Sequence, residues 1–475
     1  MSSSSSSQHA RMDAVAMAAC EPSRRHGATK LQSCPTPTAT TAATRRSGSG
    51  NLSIFLNRAG STWLLCATLS LLLFNLFWFC STGAAFNAAS TLLEYFSIGS
   101  GKVGDGRRGE ATCDYSEGRW VAAAGYGRRY NGTECNAKEG ERCIGNGRPD
   151  TGYLDWRWQP ASCELPAFDA AAFIAAVRGK HVAFVGDSMA RNQGESLVCL
   201  LSTALPHRLV YRDRNPWARK FWRWAFPTHN VTLSIYWAPF LVRATGKPDD
   251  YKQPRNLVYL DELADRWSAD ADTMDVVVIS QGHWYWIPSI YHNAGKVIGM
   301  HNVTGLNQTD DIGLFSPYRR TLRMALDRLV GLGAGDRNRT RTVVVATFSP
   351  SHFEKAWDDP TTCARTRPYE EGEREVGGIE RELGSIAREE AASAAAQARS
   401  REGGGGSRVE VLDVTKLASM RPDGHPGVYM HRDPFARGVP KRLQSDCLHF
   451  CVPGPVDTFN EILLQILTSK RQSQK

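Results

Sequence analysis

The chain has 475 residues, of which 42% are hydrophobic, and a formal net charge of +9. This length suits one large domain with attachments or two to three ordinary domains, and the apolar content is normal for a globular core. Seven basic and two acidic side chains precede residue 59, so +5 of the charge lies in a short N-terminal segment. The remainder is too weakly charged to suggest a nucleic-acid-binding protein.

The N-terminal region predicts a membrane anchor. Residues 1–58 are rich in Ser, Thr, Ala and Arg and cannot bury a core, so we expect them to be disordered. Residues 59–86 are apolar and long enough to cross a hydrocarbon core of about 30 Å as a helix. Because Arg and Lys concentrate before this segment, its N-terminal side is predicted to be cytosolic. Residues 87–111 are interpreted as a luminal stem, since a cleaved signal peptide would start nearer residue 1.

The cysteines and sequons agree with a luminal location. Eight cysteines follow the predicted anchor, and an even number in an oxidising compartment indicates disulfides. The chain has no Cys-x-x-Cys pair, so we predict no metal site. Five asparagines in this region start an Asn-x-Ser/Thr glycosylation signal. They are Asn131, Asn230, Asn302, Asn307 and Asn338.

Two regions are predicted beyond the stem. Residues 112–169 are rich in Cys, Trp and turn residues, which predicts a small disulfide-stapled subdomain. In residues 170–470, short apolar segments alternate with helical or mixed ones, as is typical of a parallel sheet covered by helices on both faces. The predicted strands are residues 181–186, 233–242, 275–280, 342–348 and 409–415. The charged, Ala-rich segment 373–407 is interpreted as a solvated helix with a flexible exit.

Ser188 lies where the first of these strands gives way to a helical segment. Open α/β sheets bind ligands at the carboxyl ends of their strands, and the start of a helix favours developing negative charge. Ser188 is therefore a candidate nucleophile. It could instead be only the N-cap of the helix, since serine is favoured there. Asp187 is interpreted as a brace for the turn.

A serine hydroxyl needs a base to become an effective nucleophile. Near the C-terminus, Asp446 and His449 stand three residues apart between two cysteines, just before an amphipathic segment. A carboxylate can hold the imidazole in one tautomer while the other ring nitrogen faces the serine. Ser188, Asp446 and His449 are therefore the predicted catalytic residues.

Several segments carry a more specific resemblance. They are CDYSEGRWV, NGRPDTGYLDWRWQPASCELPAFD, GDSMARNQGESLVCLLS, ISQGHWYW and DCLHFCVPGPVDTFNEIL. The Gly-Asp-Ser and Asp-x-x-His motifs resemble the SGNH/GDSL hydrolase superfamily. Together, over residues 112–468, these segments resemble the plant trichome birefringence-like family of Golgi polysaccharide O-acetyltransferases. The resemblance implies an SGNH-like three-layer α/β fold with a parallel central sheet, and acetyl transfer through an acetyl-serine.

The resemblance also implies partners and a location. The acceptor would be a cell-wall hemicellulose, with xyloglucan favoured over mannan or xylan. The donor would be acetyl-CoA or a derived luminal carrier, with no bound cofactor. The protein would be a single-pass type II protein of the Golgi membrane with a luminal catalytic domain. The implied disulfides are Cys113–Cys163, Cys135–Cys199, Cys143–Cys451 and Cys363–Cys447.

Further residues are candidates for supporting roles. The backbone N–H of Ser188 is the first candidate donor to an oxyanion, and Gly282, Asn192 and Arg191 are others. Arg191 could equally form a structural salt bridge. The candidates for substrate binding are Trp222, Trp224, Trp284 and His283, with core packing as the alternative for each.

Two other functions are compatible with the same observations. A polysaccharide acetylesterase would have the same three catalytic residues, with water replacing the sugar hydroxyl. A non-catalytic wall-polysaccharide-binding protein is the second alternative, and the intact Ser, Asp and His set argues against it. His352 and His425 are interpreted as structural residues.

Overall fold

The computed structural model describes residues 113–130, 135, 137–213, 221–304, 310–331, 340–400 and 407–469. The predicted tail 1–58, membrane anchor 59–86 and stem 87–111 lie outside these residues. Among the residues that are described, no helix is long and apolar enough to span a membrane.

The described residues form thirteen strands and seven α-helices. The strands are β1 (Gly118–Ala122), β2 (Trp156–Pro160), β3 (His181–Gly186), β4 (Arg208–Arg212), β5 (Phe221–Phe226), β6 (Val231–Trp237), β7 (Val242–Gly246), β8 (Asn256–Leu263), β9 (Val276–Ser280), β10 (Ser289–Asn293), β11 (Lys296–His301), β12 (Thr342–Ala346) and β13 (Arg408–Leu412). The helices are α1 (Ala170–Ala176), α2 (Ser188–Ser202), α3 (Asp265–Asp270), α4 (Phe315–Gly331), α5 (Gly378–Ser400), α6 (Thr415–Ser419) and α7 (Val456–Thr468). Each predicted strand overlaps an observed one, and β3 has the predicted bounds.

The central sheet has seven strands in the order β13-β12-β9-β3-β6-β5-β4. The five strands from β13 to β6 are parallel, as predicted. The prediction of a parallel sheet is wrong at the other edge, where β5 and β4 pair antiparallel. Only residues 227–230 separate β5 from β6. Such a short connection permits a hairpin but not the crossover that a parallel pair needs.

Helices cover both faces of the central sheet. Val182 and Phe184 of β3 face a hydrophobic cluster that includes α1, α2 and α7. Ala183 and Val185 face the opposite cluster, which includes α4 and α5. This alternation follows from the two-residue period of a strand and produces three layers. A four-stranded sheet of order β11-β10-β8-β7, which the sequence did not predict, and a β1-β2 pair complete the described sheets.

Helix α5 corrects one prediction. The charged, Ala-rich segment does form a helix, but it is not solvated on all sides. Its Leu383, Ile386 and Ala387 are buried in the cluster beneath the sheet. The helix also packs on β13. Apolar residues three and four positions apart form one face of the helix. The many charged residues in the segment made this apolar face hard to recognise from the sequence.

Four disulfides join the described residues. They are Cys113–Cys163, Cys135–Cys199, Cys143–Cys451 and Cys363–Cys447, the pairs that the family resemblance implied. The first lies within the N-terminal subdomain. The second and third join the subdomain to the region after residue 169, and the third and fourth hold the segment that contains Asp446 and His449.

Candidate active site

The site begins at the corner where β3 ends. Gly186 has a positive φ of 153°, and a Cβ there would lie 1.7 Å from the carbonyl oxygen of Ser280. Only glycine therefore lets β9 approach this closely. The N–H of Asp187 donates to the same carbonyl at 3.0 Å. The corner places Ser188 at the first position of α2, on the carboxyl edge of the parallel strands.

Asp187, rather than Ser188, caps the helix. Its carboxylate accepts hydrogen bonds from the backbone N–H of Met189 at 2.9 Å and of His283 at 3.3 Å. Burial raises the pKa of Asp187 to about 6, while these backbone hydrogen bonds oppose the rise. The alternative in which Ser188 is only an N-cap is therefore wrong. The half-buried Ser188 hydroxyl makes no hydrogen bond to another described residue.

Asp446 holds His449 in one orientation. The Oδ2 atom of Asp446 lies 2.7 Å from Nδ1 of His449, and Oδ1 accepts hydrogen bonds from the N–H groups of Leu448 and His449. Burial alone would raise the pKa of Asp446, but the charge of His449 and its hydrogen bonds hold it well below its usual range. The carboxylate therefore stays ionised and fixes the Nδ1–H tautomer.

The other nitrogen of His449 is open. The His449 side chain is fully buried, and its Nε2 has no hydrogen-bond partner among the described residues. A buried nitrogen without a hydrogen-bond partner destabilises the folded protein. Such unsatisfied groups are found at functional sites, where a substrate can supply the missing partner. The Ser188 hydroxyl is not hydrogen-bonded to this nitrogen here. Catalytic hydrogen bonds often form only once substrate is bound.

Asn192 connects helix α2 to the segment that contains His449, here called the histidine loop. Its Oδ1 accepts from the N–H of Phe450 at 3.1 Å, and its Nδ2 donates to the Phe450 carbonyl at 3.0 Å. Asn192 lies one helical turn after Ser188, and Phe450 directly follows His449. These two hydrogen bonds therefore set the position of His449 relative to Ser188.

Arg191 forms a buried ion cluster. Its guanidinium donates to Glu141 at 2.7 and 3.1 Å and to Glu195 at 3.1 Å. Burial would raise the pKa of Glu141, but the charge of Arg191 lowers it overall. Glu141 also accepts from Nδ2 of Asn192 at 2.9 Å. Of the two roles expected for Arg191, the structure shows the salt bridge.

Gly282 and His283 follow β9 and contact the corner through Asp187. Gly282 has a φ of 149°, and a Cβ there would lie 2.6 Å from the Phe348 ring. Its backbone forms a hydrogen bond that lowers the pKa of Asp187. The His283 ring lies 4.4 Å from that of Phe348. Burial, followed by the charge of His449, lowers the pKa of His283 to about 3, so this imidazole is neutral.

The tryptophans predicted to bind sugar lie in the core. Trp222, Trp224 and Trp284 are 7%, 2% and 5% exposed. Rings with so little free surface cannot stack on a sugar. The sequence reasoning missed Trp237, which is half-buried, pairs with Gly186 in the sheet register and packs edge-to-face on Trp284 at 5.3 Å. The predicted strand ran to residue 242 and hid the fact that Trp237 ends it.

Of the five predicted glycosylation sites, Asn230 and Asn302 lie within the described residues. Both asparagines are exposed, and both have a positive φ, of 52° and 53°. The other three lie outside the described residues. In the described ranges, no group of three or more His, Cys, Asp or Glu side chains could hold a metal ion.

Residues 165–466 match the GDSL/SGNH-like acyl-esterase family found in Pmr5 and Cas1p. The chain belongs to this family. Residues 111–164 match the PMR5 N-terminal domain. These two matches leave only the ends of the chain outside the family's domains.

Named relatives confirm the resemblance to trichome birefringence-like proteins. The chain is 45% identical to Xyloglucan O-acetyltransferase 1 of Populus trichocarpa, over 75% of this chain and 82% of the relative. It is 43% identical to Xyloglucan O-acetyltransferase 1 of Arabidopsis thaliana, over 75% and 81%. It is 35% identical to Protein trichome birefringence-like 26 of Arabidopsis thaliana, over 77% and 80%.

Proposed function

We propose that this protein is a xyloglucan O-acetyltransferase with Ser188, His449 and Asp446 as its catalytic triad. The observation that carries the proposal is the buried His449, which Asp446 orients and which Asn192 ties to the helix that starts at Ser188. The acceptor follows from the relatives named for xyloglucan. The triad supports acyl transfer, while the choice of polymer rests on that similarity.

In the first half-reaction, His449 Nε2 takes the proton of the Ser188 hydroxyl as its oxygen attacks the acetyl carbonyl of the donor. The tetrahedral intermediate collapses to acetyl-serine. The leaving group departs with the proton that His449 returns. Asp446 stabilises the imidazolium that exists between these two transfers.

In the second half-reaction, a xyloglucan hydroxyl enters beside the acetyl-serine. His449 removes its proton as the sugar oxygen attacks the acetyl carbon. The bond to Ser188 breaks, and His449 returns the proton to the serine oxygen. The acetyl group is thereby moved to the sugar and the enzyme is regenerated.

The N–H of Ser188 is the proposed oxyanion donor, because the first N–H groups of a helix have no acceptor within it. Arg191 and Asn192 already donate to buried partners, so we assign them positioning roles. Gly282 stays a prediction as a second donor, and its competing acceptor is Asp187.

The donor is proposed to be acetyl-CoA or a derived luminal carrier. We also propose a single-pass type II arrangement in the Golgi membrane, with residues 59–86 as the anchor. Three features support it: the uncharged apolar segment, the basic residues before it, and four disulfides in the region that follows.

The test is mass analysis of xyloglucan oligosaccharides incubated with the full chain and an acetyl donor, either acetyl-CoA or a small acetyl ester. We expect sugars heavier by one acetyl group, and an activity that falls by about 10³-fold or more in Ser188→Ala. Ser202→Ala, at the far end of the same helix, is the matched control and should keep activity.

Two outcomes would contradict the proposal. Release of acetate without any acetylated sugar would identify an esterase. That activity is consistent with the acyl-esterase family that the chain matches. Binding of the oligosaccharide with no acetyl-serine on any donor would identify a non-catalytic protein. Acetylation of mannan or xylan oligosaccharides in place of xyloglucan would overturn the acceptor alone.

A further inference from the structure

Two buried histidines lie directly behind the catalytic loop. His352 follows β12, and His425 lies in the segment between α6 and Asp446. Their side chains are almost inaccessible, at 3% and 2% exposure. Nδ1 of His352 lies 2.6 Å from Nε2 of His425, a distance typical of a strong hydrogen bond.

The outer nitrogens of the pair both face carbonyl oxygens. Nε2 of His352 lies 2.7 Å from the carbonyl oxygen of Ser419. Nδ1 of His425 lies 2.8 Å from the carbonyl oxygen of His449. A carbonyl oxygen can only accept, so each outer nitrogen must carry a hydrogen.

This requirement decides the protonation of the inner nitrogens. A neutral imidazole has one N–H. If both rings were neutral, their hydrogens would be used by the two carbonyls, and two lone pairs would face each other at 2.6 Å. Such a contact is repulsive, and a third proton between the nitrogens turns it into a hydrogen bond.

We propose that His352 and His425 together hold three protons, the third shared between Nδ1 of His352 and Nε2 of His425. The pair then carries one positive charge. It forms a continuous hydrogen-bonded chain from the Ser419 carbonyl to the carbonyl of His449. His425 is thereby a positioning residue for His449, and this last role rests on the proposed function.

The groups around His425 shift its pKa in opposite directions. Burial is the largest effect and lowers its pKa to about 4, and the charges of His449 and Arg148 act in the same direction. The hydrogen bond to the His449 carbonyl and the charge of Asp446 raise its pKa. Nearby, Arg421 is already paired with Asp423.

The surroundings of His352 are also mostly unfavourable to a charge. Burial lowers its pKa well below the usual value, and the charges of His425 and Arg374 lower it further. The hydrogen bond to Ser419 raises it. The Tyr369 ring, whose hydroxyl has a pKa raised by burial, lies 6.0 Å away and stays neutral. The contributions that favour the third proton are the hydrogen bond between the two rings, their hydrogen bonds to the two carbonyls and the charge of Asp446.

The sign of the pH dependence follows. The arrangement is stabilised by a bound proton, so it is complete at low pH and is lost as the pH rises through the pKa of the pair. On deprotonation, one ring must carry its remaining hydrogen on the inner nitrogen. Its outer nitrogen then has no hydrogen and can no longer donate to its carbonyl oxygen. Release of the His449 carbonyl loosens the loop that Asn192 and Asp446 otherwise hold. We expect kcat to fall as the pH rises through the pKa of the pair, with little change in KM.

The deciding measurement is histidine-selective nitrogen NMR of the full chain, without any substitution. We expect three protonated nitrogens among the four of the pair and one hydrogen resonance at unusually low field. Two protonated and two bare nitrogens at every pH at which the protein is folded would overturn the proposal. This readout does not depend on acetyl transfer, so it can fail while the proposed function stands, and the reverse also holds.

Two substitutions separate positioning from packing. His352→Phe removes the third proton but leaves Nδ1–H of His425 on the His449 carbonyl. The fall of kcat through the pKa of the pair should therefore disappear together with the low-field resonance. His425→Phe removes the bond to His449 and should lower kcat at every pH. If both variants merely melt earlier and keep the wild-type pH profile, the pair only packs and the positioning role is lost.

Discussion

At the scale of single residues, the candidate site depends on which hydrogen bonds the Asp446 carboxylate accepts. Asp446 accepts two backbone N–H groups at Oδ1 and the His449 ring at Oδ2. The backbone bonds hold the carboxylate still, and the carboxylate holds the ring. Because His449 is fully buried, its tautomer is decided by this single partner.

Replacing the carboxylate isosterically should remove this control. In Asp446→Asn, the amide can donate to Nδ1, which moves the ring hydrogen to Nε2 and blocks it as a base. We expect kcat to fall by about 10⁴-fold with KM nearly unchanged. Transfer kinetics with xyloglucan oligosaccharide give both constants. A fall of less than about tenfold in a folded variant would remove Asp446 from the mechanism.

At the scale of the elements, the site lies where β3 approaches β9 and where helix α2 contacts the histidine loop. The carboxyl ends of β3 and β9 meet because Gly186 lets the Ser280 carbonyl come near. Helix α2 starts there, and its buried face reaches the histidine loop through Asn192. The distance between Ser188 and His449 is thus determined by how a helix packs against a loop.

Asn192→Ala tests this junction. Loss of both hydrogen bonds to Phe450 should let the loop shift, and misplacement by about 1 Å costs on the order of 10²-fold in rate. We expect kcat for acetyl transfer to fall by that factor, with KM little changed. Ser202→Ala on the same helix is the control. An Asn192→Ala enzyme with wild-type kcat would show that other contacts suffice to position the loop.

At the scale of the whole molecule, disulfides connect the N-terminal subdomain to the region that contains the candidate site. Cys143–Cys451 spans 308 residues and joins the subdomain to the segment just after His449. Cys363–Cys447 holds the segment on the other side of the histidine. The subdomain also supplies Glu141, which pairs with Arg191 and Asn192 on α2. The subdomain is therefore part of the scaffold of the site.

The two kinds of disulfide can be compared directly. Replacing Cys143 and Cys451 by Ser should lower the free energy of unfolding by about 2–5 kcal/mol and also lower kcat, because the histidine loop loses a constraint. Replacing Cys113 and Cys163, which close a bridge within the subdomain, should lower stability with a smaller effect on kcat. Thermal melting and transfer rates measure the two effects. Equal losses of kcat in both variants would argue against a role for the long bridge at the site.

The sequence by itself determined the parts of this protein that depend on neighbours along the chain. The bounds of β3, the placement of Ser188 at a strand-to-helix corner, and the Asp446-x-x-His449 spacing are all local. A short apolar segment, a Gly-Asp-Ser turn and two side chains in one loop are readable because backbone geometry within a few residues is decided by those residues. The resemblance to known proteins added the disulfide pairs, which spacing alone could not supply.

Tertiary structure decided what depends on residues far apart in sequence. Asn192 and Phe450 are separated by 258 residues, so nothing in either local segment reveals their hydrogen bonds. The same applies to the antiparallel edge formed by β5 and to the burial of Trp222. An aromatic or charged side chain has the same sequence signature whether it faces a substrate or the core. Only packing, which is set by the whole fold, chooses between these environments.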